Sequence, residues 1–157
     1  MFFCQQWGSI FLPPALVGSK KEMYNFLLKH SFQKNIFIIT KYRNSNKSHR
    51  KIMKRVIKEA GFYPVIAKKD IIIDDLYNPI ACLICSKYGI ALFDQPEDGQ
   101  LINPNLCYEL GMMHLQGKKC LILKSNSLEK LQTDILQKLY KEYDESNLDD
   151  LESIVKV

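Results

Sequence analysis

From residue 35 onward, short apolar runs alternate with amphipathic stretches. IFIIT (36–40) is a β-branched run with no polar break, and KSHRKIMKRVIKEAG (47–61) sets Ile52, Val56 and Ile57 on one helical face, with Gly61 placed as a C-terminal stop. FYPVIAKK (62–69) reads as a strand. DDLYNPIACLICSK (74–87) reads as a helix with Pro79 in its first turns, and YGIALFD (88–94) as a fully apolar strand. The polar loop QPEDGQLI leads into a helix opened by Asn103-Pro104-Asn105. KCLILK (119–124) is a fourth strand, and helical segments are predicted near 127–142 and 146–156. Before residue 35 the pattern is weaker: an irregular lead, then SKKEMYNFLLKHS with Met23, Phe26, Leu27 and His30 at helical spacing.

Continuous apolar strands alternating with helices imply a parallel sheet covered on both faces, because right-handed crossovers put the helices there. The expectation is an α/β fold with a flavodoxin-like doubly wound sheet, strand order 2-1-3-4 and possibly a fifth strand. Residues 1–34 form an N-terminal extension with one helix, and residues 35–157 form the α/β domain.

Composition changes this picture little. The 157 residues suit one core, and 46% hydrophobic with 25% charged residues argues against disorder. No run reaches the roughly 18 apolar residues of a membrane span, and MFFCQQWGSIFLPP has no basic lead and is cut by Pro13 and Pro14, so neither a membrane segment nor a signal peptide is expected. Five cysteines, most of them in apolar runs, suit a reducing cytoplasm. Cys82-x-x-Cys85 lacks a second ligand pair, so core packing is expected and no metal. The net charge of +5 owes much to Lys41, Arg43, Lys47, Arg50, Lys51, Lys54 and Arg55. That cluster is either a solvated face or an attractor of phosphates, and it lacks the interleaved aromatics, beyond Tyr42, of a nucleic-acid binder.

In an open parallel sheet ligands bind beyond the carboxyl ends of the strands, where strand order reverses. Here that lies between the first and third strands, at loops 41–47 and 94–105. Asn103 is a good N-cap and Pro104 a good first helical residue, with Asn105 the alternative cap. Leu106, Leu110 and Met113 then face the sheet, and Glu109 leans back toward the strand ends. Gly111 costs about 1 kcal/mol in a helix unless close packing against the sheet or a ligand requires it.

The block NPNLCYELGMMHLQGKKCLIL resembles the Asn-Pro-Asn-Val-x-Tyr-Glu-Leu-Gly and Gly-Lys-strand signature of Toll/interleukin receptor-like (TIR-like) and nucleoside 2-deoxyribosyltransferase-like nucleotide-binding domains, with Leu106 for the usual Val. The resemblance spans roughly residues 35 to 145. It implies that Glu109 engages the ribose beside its anomeric carbon, as nucleophile in deoxyribosyl transfer or as the group holding the ribose in NAD cleavage. Breaking an N-glycosidic bond builds positive charge on the sugar, which a carboxylate stabilises or traps. It further implies nucleotide contacts at Asn103 and Asn105, no cofactor (NAD being a substrate), and activity that depends on self-association or an activating protein partner.

NAD is the easier substrate for a single carboxylate, because nicotinamide leaves from a cationic nitrogen without a proton. A neutral nucleoside needs a second acid. Asp94 at the end of the third strand is the first candidate for it, then Asp74 or Asp75. Lys41 and Arg43, with Lys47, are candidates for a pyrophosphate and Tyr42 for stacking on a base, each weighed against a solvated loop residue. His49 and His114 are read as structural. The alternatives to an NAD glycohydrolase are a nucleoside or nucleotide 2-deoxyribosyltransferase or hydrolase, and a nucleotide-sensing module that binds without cleaving.

Overall fold

Five parallel strands form one sheet in the order β2-β1-β3-β4-β5 in a computed structural model that describes residues 12–74, 76–94, 103–128 and 140–156. The strands are β1 (Asn35–Ile39), β2 (Tyr63–Val65), β3 (Tyr88–Phe93), β4 (Lys119–Ser125) and β5 (Tyr140–Tyr143). The helices are α1 (Lys20–Lys29), α2 (Lys47–Glu59), α3 (Asn78–Ile84), α4 (Pro104–Leu115) and α5 (Leu148–Lys156). This is the doubly wound flavodoxin-like arrangement, and the order reverses between β1 and β3.

The two-residue period of the strands divides the core. Phe37, Ile39, Ala91 and Phe93 pack on one face of the sheet with Met23 and Leu27 of α1, Ala81 to Ile84 of α3, and Leu106, Leu110 and Met113 of α4. Ile38, Ile90 and Leu92 pack on the other face with Met53 and Ile57 of α2 and Leu151 of α5. Because both faces are covered, β1 and β3 carry no polar alternation, and this makes the runs at 36–40 and 88–94 legible as parallel strands. Residues 12–34 belong to the same packing: Leu16, Met23 and Leu27 are buried in it, the His30 ring stacks on Tyr63 with centroids 3.7 Å apart, and Asn35 Nδ2 donates to the carbonyls of His30 and Cys85.

Three expectations are corrected. The helix predicted at 127–142 does not extend over 140–142. Those residues lie in β5, where Tyr140 pairs with Ile122 and Tyr143 with Ser125, so pairing with β4 overrides the helical spacing of LQKLYKEY. Strand β2 holds three residues rather than eight, because the backbone N–H of Ile66 turns aside to Asp70 Oδ2 at 2.7 Å. Helix α3 begins at Asn78, not 74, since the Asn78 side chain holds the preceding loop: Oδ1 accepts from the backbone of Ile72 and Ile73, and Nδ2 donates to the carbonyls of Ala67 and Asp70. The lead at 1–11, Asp75, the loop at 95–102 and residues 129–139 lie outside the described residues.

Glycine usage also differs from expectation. Gly61 has φ +77 and ends α2 as predicted, but Gly111 is exposed and a Cβ built there meets nothing within 4 Å. The glycine that close approach requires is Gly89 in β3, where a Cβ would lie 2.8 Å from both Cys120 Sγ and Met113 Cε. Gly111→Ala should therefore stabilise the fold by up to about 1 kcal/mol in urea titration, while Gly89→Ala should cost about 1–3 kcal/mol through overpacking.

Candidate active site

Asn103 caps α4 by accepting the backbone N–H of Asn105 at 3.0 Å, and Pro104 follows as the first helical residue. Leu106, Leu110 and Met113 anchor the helix to the sheet at 4%, 2% and 0% exposure. Glu109 stands three residues after Leu106 and four before Met113, so its side chain is carried alongside that anchored stripe. It lines a cavity of about 470 Å3 at the carboxyl ends of β1 and β2. Burial pushes its carboxyl up from the usual carboxylate range to about 7, and no described residue hydrogen-bonds or ion-pairs with it.

The cavity draws on four segments. The end of β1 contributes Thr40, Lys41 and Tyr42, the turn after β2 Ala67, Lys68 and Ile71, the start of α3 Asn78 and Pro79, and α4 Asn103, Asn105 and Glu109. Lys41, Tyr42, Asn103, Asn105 and Glu109 were all expected here. Among the described residues that line it, Glu109 is the sole acid.

Asp94 and Arg43 do not line the cavity. Asp94 is 7% exposed and Arg43 8%, and they face each other with Nη2 3.8 Å from Oδ1. Asn46 Nδ2 donates to Asp94 Oδ2 at 2.8 Å and to the Lys41 carbonyl at 2.7 Å, so the pair ties the loop after β1 to the end of β3. In this arrangement Asp94 positions the loop that carries Lys41 and Tyr42, and its carboxylate is committed to Arg43 and Asn46. Asp74 is exposed. His49 is buried with Nε2 3.2 Å from the Glu145 carbonyl, and His114 is exposed.

Tyr42 lies with the Arg50 guanidinium 4.9 Å and Lys68 Nζ 5.5 Å from its ring centroid. Its hydroxyl is buried without a hydrogen-bond partner, and burial pushes its pKa up to about 12. Three residues that sequence reasoning did not single out shape this site: Asn46, Asn78 and Lys68. Each acts through the fold rather than through a local motif, and only the Asn before Pro79 carried a sequence hint. No group of three His, Cys, Asp or Glu that could hold a metal occurs among the described residues, and Cys82 and Cys85 are buried free thiols. No helix among them is long and apolar enough to cross a membrane.

Neither a family model nor a curated protein matches the chain. Solved structures do. A CMP N-glycosidase from Clostridium botulinum, BcmB, superposes with a TM-score of 0.53 at 15% identity, covering 77% of this chain and 97% of that one. A mutant flavo di-iron protein from Thermotoga maritima gives 0.46 at 16% identity over 80% of this chain and 35% of that one. At these identities the likeness to the glycosidase is one of fold.

The site's electrostatics have a sign that can be tested. Glu109 has a folded-state pKa of about 7 against an ordinary 4.5, so between those values the folded state holds the extra proton and stability falls as pH rises. Glu109→Gln removes that penalty. Its melting temperature should exceed that of the parent at pH 8 by about 2–4 °C, the equivalent of 1 kcal/mol for a chain of this size, and the gap should close near pH 4. Asp94→Ala should instead lose about 3 kcal/mol in urea titration, since it strands Arg43 and Asn46 in a buried setting.

Proposed function

We propose that this protein cleaves the N-glycosidic bond of NAD, releasing nicotinamide and ADP-ribose or a cyclised product, with Glu109 at the ribose. The carrying observation is a half-buried carboxyl that is the sole acid among the described residues lining its cavity. Such a site supplies charge stabilisation, and no second carboxyl lines it among the described residues. The C1'–N bond of NAD suits it, because the bonding electron pair moves to the pyridinium nitrogen and nicotinamide leaves neutral. The ribosyl cation left behind is stabilised by the Glu109 carboxylate, and water adds at C1' and gives up a proton. The structural likeness to a CMP N-glycosidase supports N-glycosidic cleavage of a nucleotide at this coarser level.

That likeness also favours a second reading, hydrolysis of a nucleoside monophosphate. A cytosine leaving group needs a proton, and in this reading the protonated form of Glu109 would have to supply it. The two readings differ in pH dependence. A carboxylate that stabilises the ribosyl cation must be ionised, so kcat/KM for NAD should rise with pH through about 7 and level off above it. A protonated donor gives the opposite limb. A 2-deoxyribosyltransferase would be revealed by base exchange on 2'-deoxynucleosides, and a sensing module by binding without turnover.

The test is release of free base, followed by chromatography, from NAD, CMP and deoxynucleosides. It should be run over a range of protein concentrations, because activation by self-association or by a partner belongs to the proposal. NAD should be cleaved, Glu109→Ala should abolish the activity, and Glu109→Gln should reduce kcat by about 10²–10³. Base release that persists in Glu109→Ala would overturn the mechanism.

A further inference from the structure

Cations gather at the rim of the Glu109 cavity. Arg50 and Lys68 approach the Tyr42 ring at 4.9 and 5.5 Å, and Lys68 itself lines the cavity. Behind them, Lys54 follows Arg50 by one helical turn on α2, and Lys69 follows Lys68 in the turn after β2. Burial first, and the charges of Lys69, Arg50 and Lys58 after it, hold Lys54 below the ordinary lysine range.

Nearby acids do not relieve the crowding. Asp70, next to Lys69, is committed to the Tyr63 hydroxyl at 2.8 Å and the Ile66 amide at 2.7 Å. Arg55, on the same helix, pairs with Glu152 of α5. Among the described residues none of Arg50, Lys54, Lys68 and Lys69 forms an ion pair, although a cationic pair one turn apart on a helix is unfavourable.

We infer that Arg50, Lys54, Lys68 and Lys69 form a polyphosphate subsite, and that the substrate is a nucleotide carrying two or more phosphates on its 5' oxygen, a dinucleotide or a nucleoside diphosphate, rather than a nucleoside or a monophosphate. This rests on the reading that the ribose lies against Glu109. In this assignment the first phosphate lies at Lys68 and Tyr42, which line the cavity, and the second lies toward Lys54 and Lys69.

Binding can be measured apart from chemistry. With Glu109→Gln protein, calorimetric titration at low salt should give diphosphates (ADP, CDP) an affinity about 10-fold above the corresponding monophosphates. The gap should narrow as salt rises. Lys54→Gln/Lys69→Gln in the same background should erase the gap, leave monophosphate affinity within about two-fold, and raise the melting temperature of the empty protein by relieving repulsion. Equal affinity for diphosphate and monophosphate, an unchanged gap in the double variant, or no binding of either diphosphate up to about 10 mM would each overturn the inference. Failure is separable from that of the proposed reaction. A diphosphate preference without NAD cleavage removes the reaction alone, and NAD cleavage without a diphosphate preference removes the subsite alone.

Discussion

A half-buried carboxyl group with no hydrogen-bond or ion-pair partner among the described residues is the constraint around which this site is arranged. Desolvating Glu109 is unfavourable, and the fold must hold it there against its tendency to swing into solvent. Helix α4 does so from below. Its start is fixed by the Asn103 cap and Pro104, and its underside is fixed by three fully packed side chains. The helix's own contacts with β3 and β4 thus set the depth of the carboxyl.

The opposite wall is held by polar contacts. The loop after β1 has little apolar surface of its own, yet Lys41 and Tyr42 must face the cavity. Asn46 links three points at once, the Lys41 carbonyl, Thr40 Oγ1 and Asp94, and Arg43 turns inward to the same carboxylate. The turn after β2 is organised in the same manner by Asn78. Two asparagines and one aspartate thereby carry out, in buried hydrogen bonds, the positioning that leucines and methionine perform under α4.

How far the sequence discloses all this depends on the range of the interaction concerned. Strands β1, β3 and β4 and helices α2 and α4 announce themselves because burial on one or two faces writes a local period. The cap at Asn103 and the inward stripe of α4 follow from spacing alone, whereas the weight on Glu109 comes from the motif's resemblance together with its place beside that stripe. Strand β5 does not announce itself: YKEY has two exposed charged residues, and only its neighbour β4 makes it a strand. The Asn46–Asp94 bond joins residues 48 apart in the chain, so Asp94 reads as a free acid at a strand end until its partners are seen. The glycines illustrate the same limit. Gly111 sits in a motif yet a Cβ there would meet nothing, whereas at Gly89, which no motif singles out, a Cβ would press on Cys120 and Met113.

The two outer strands bear on how the molecule behaves in company. An open sheet presents unpaired backbone at each side, a template on which a second chain can add. On one side β2 is only three residues long and its middle residue, Pro64, has no N–H to offer. On the other, Lys141 and Glu142 place opposite charges on exposed positions of a four-residue strand. Among the described residues neither margin is long or apolar, so addition of a second chain's strand is disfavoured at both sides of the sheet.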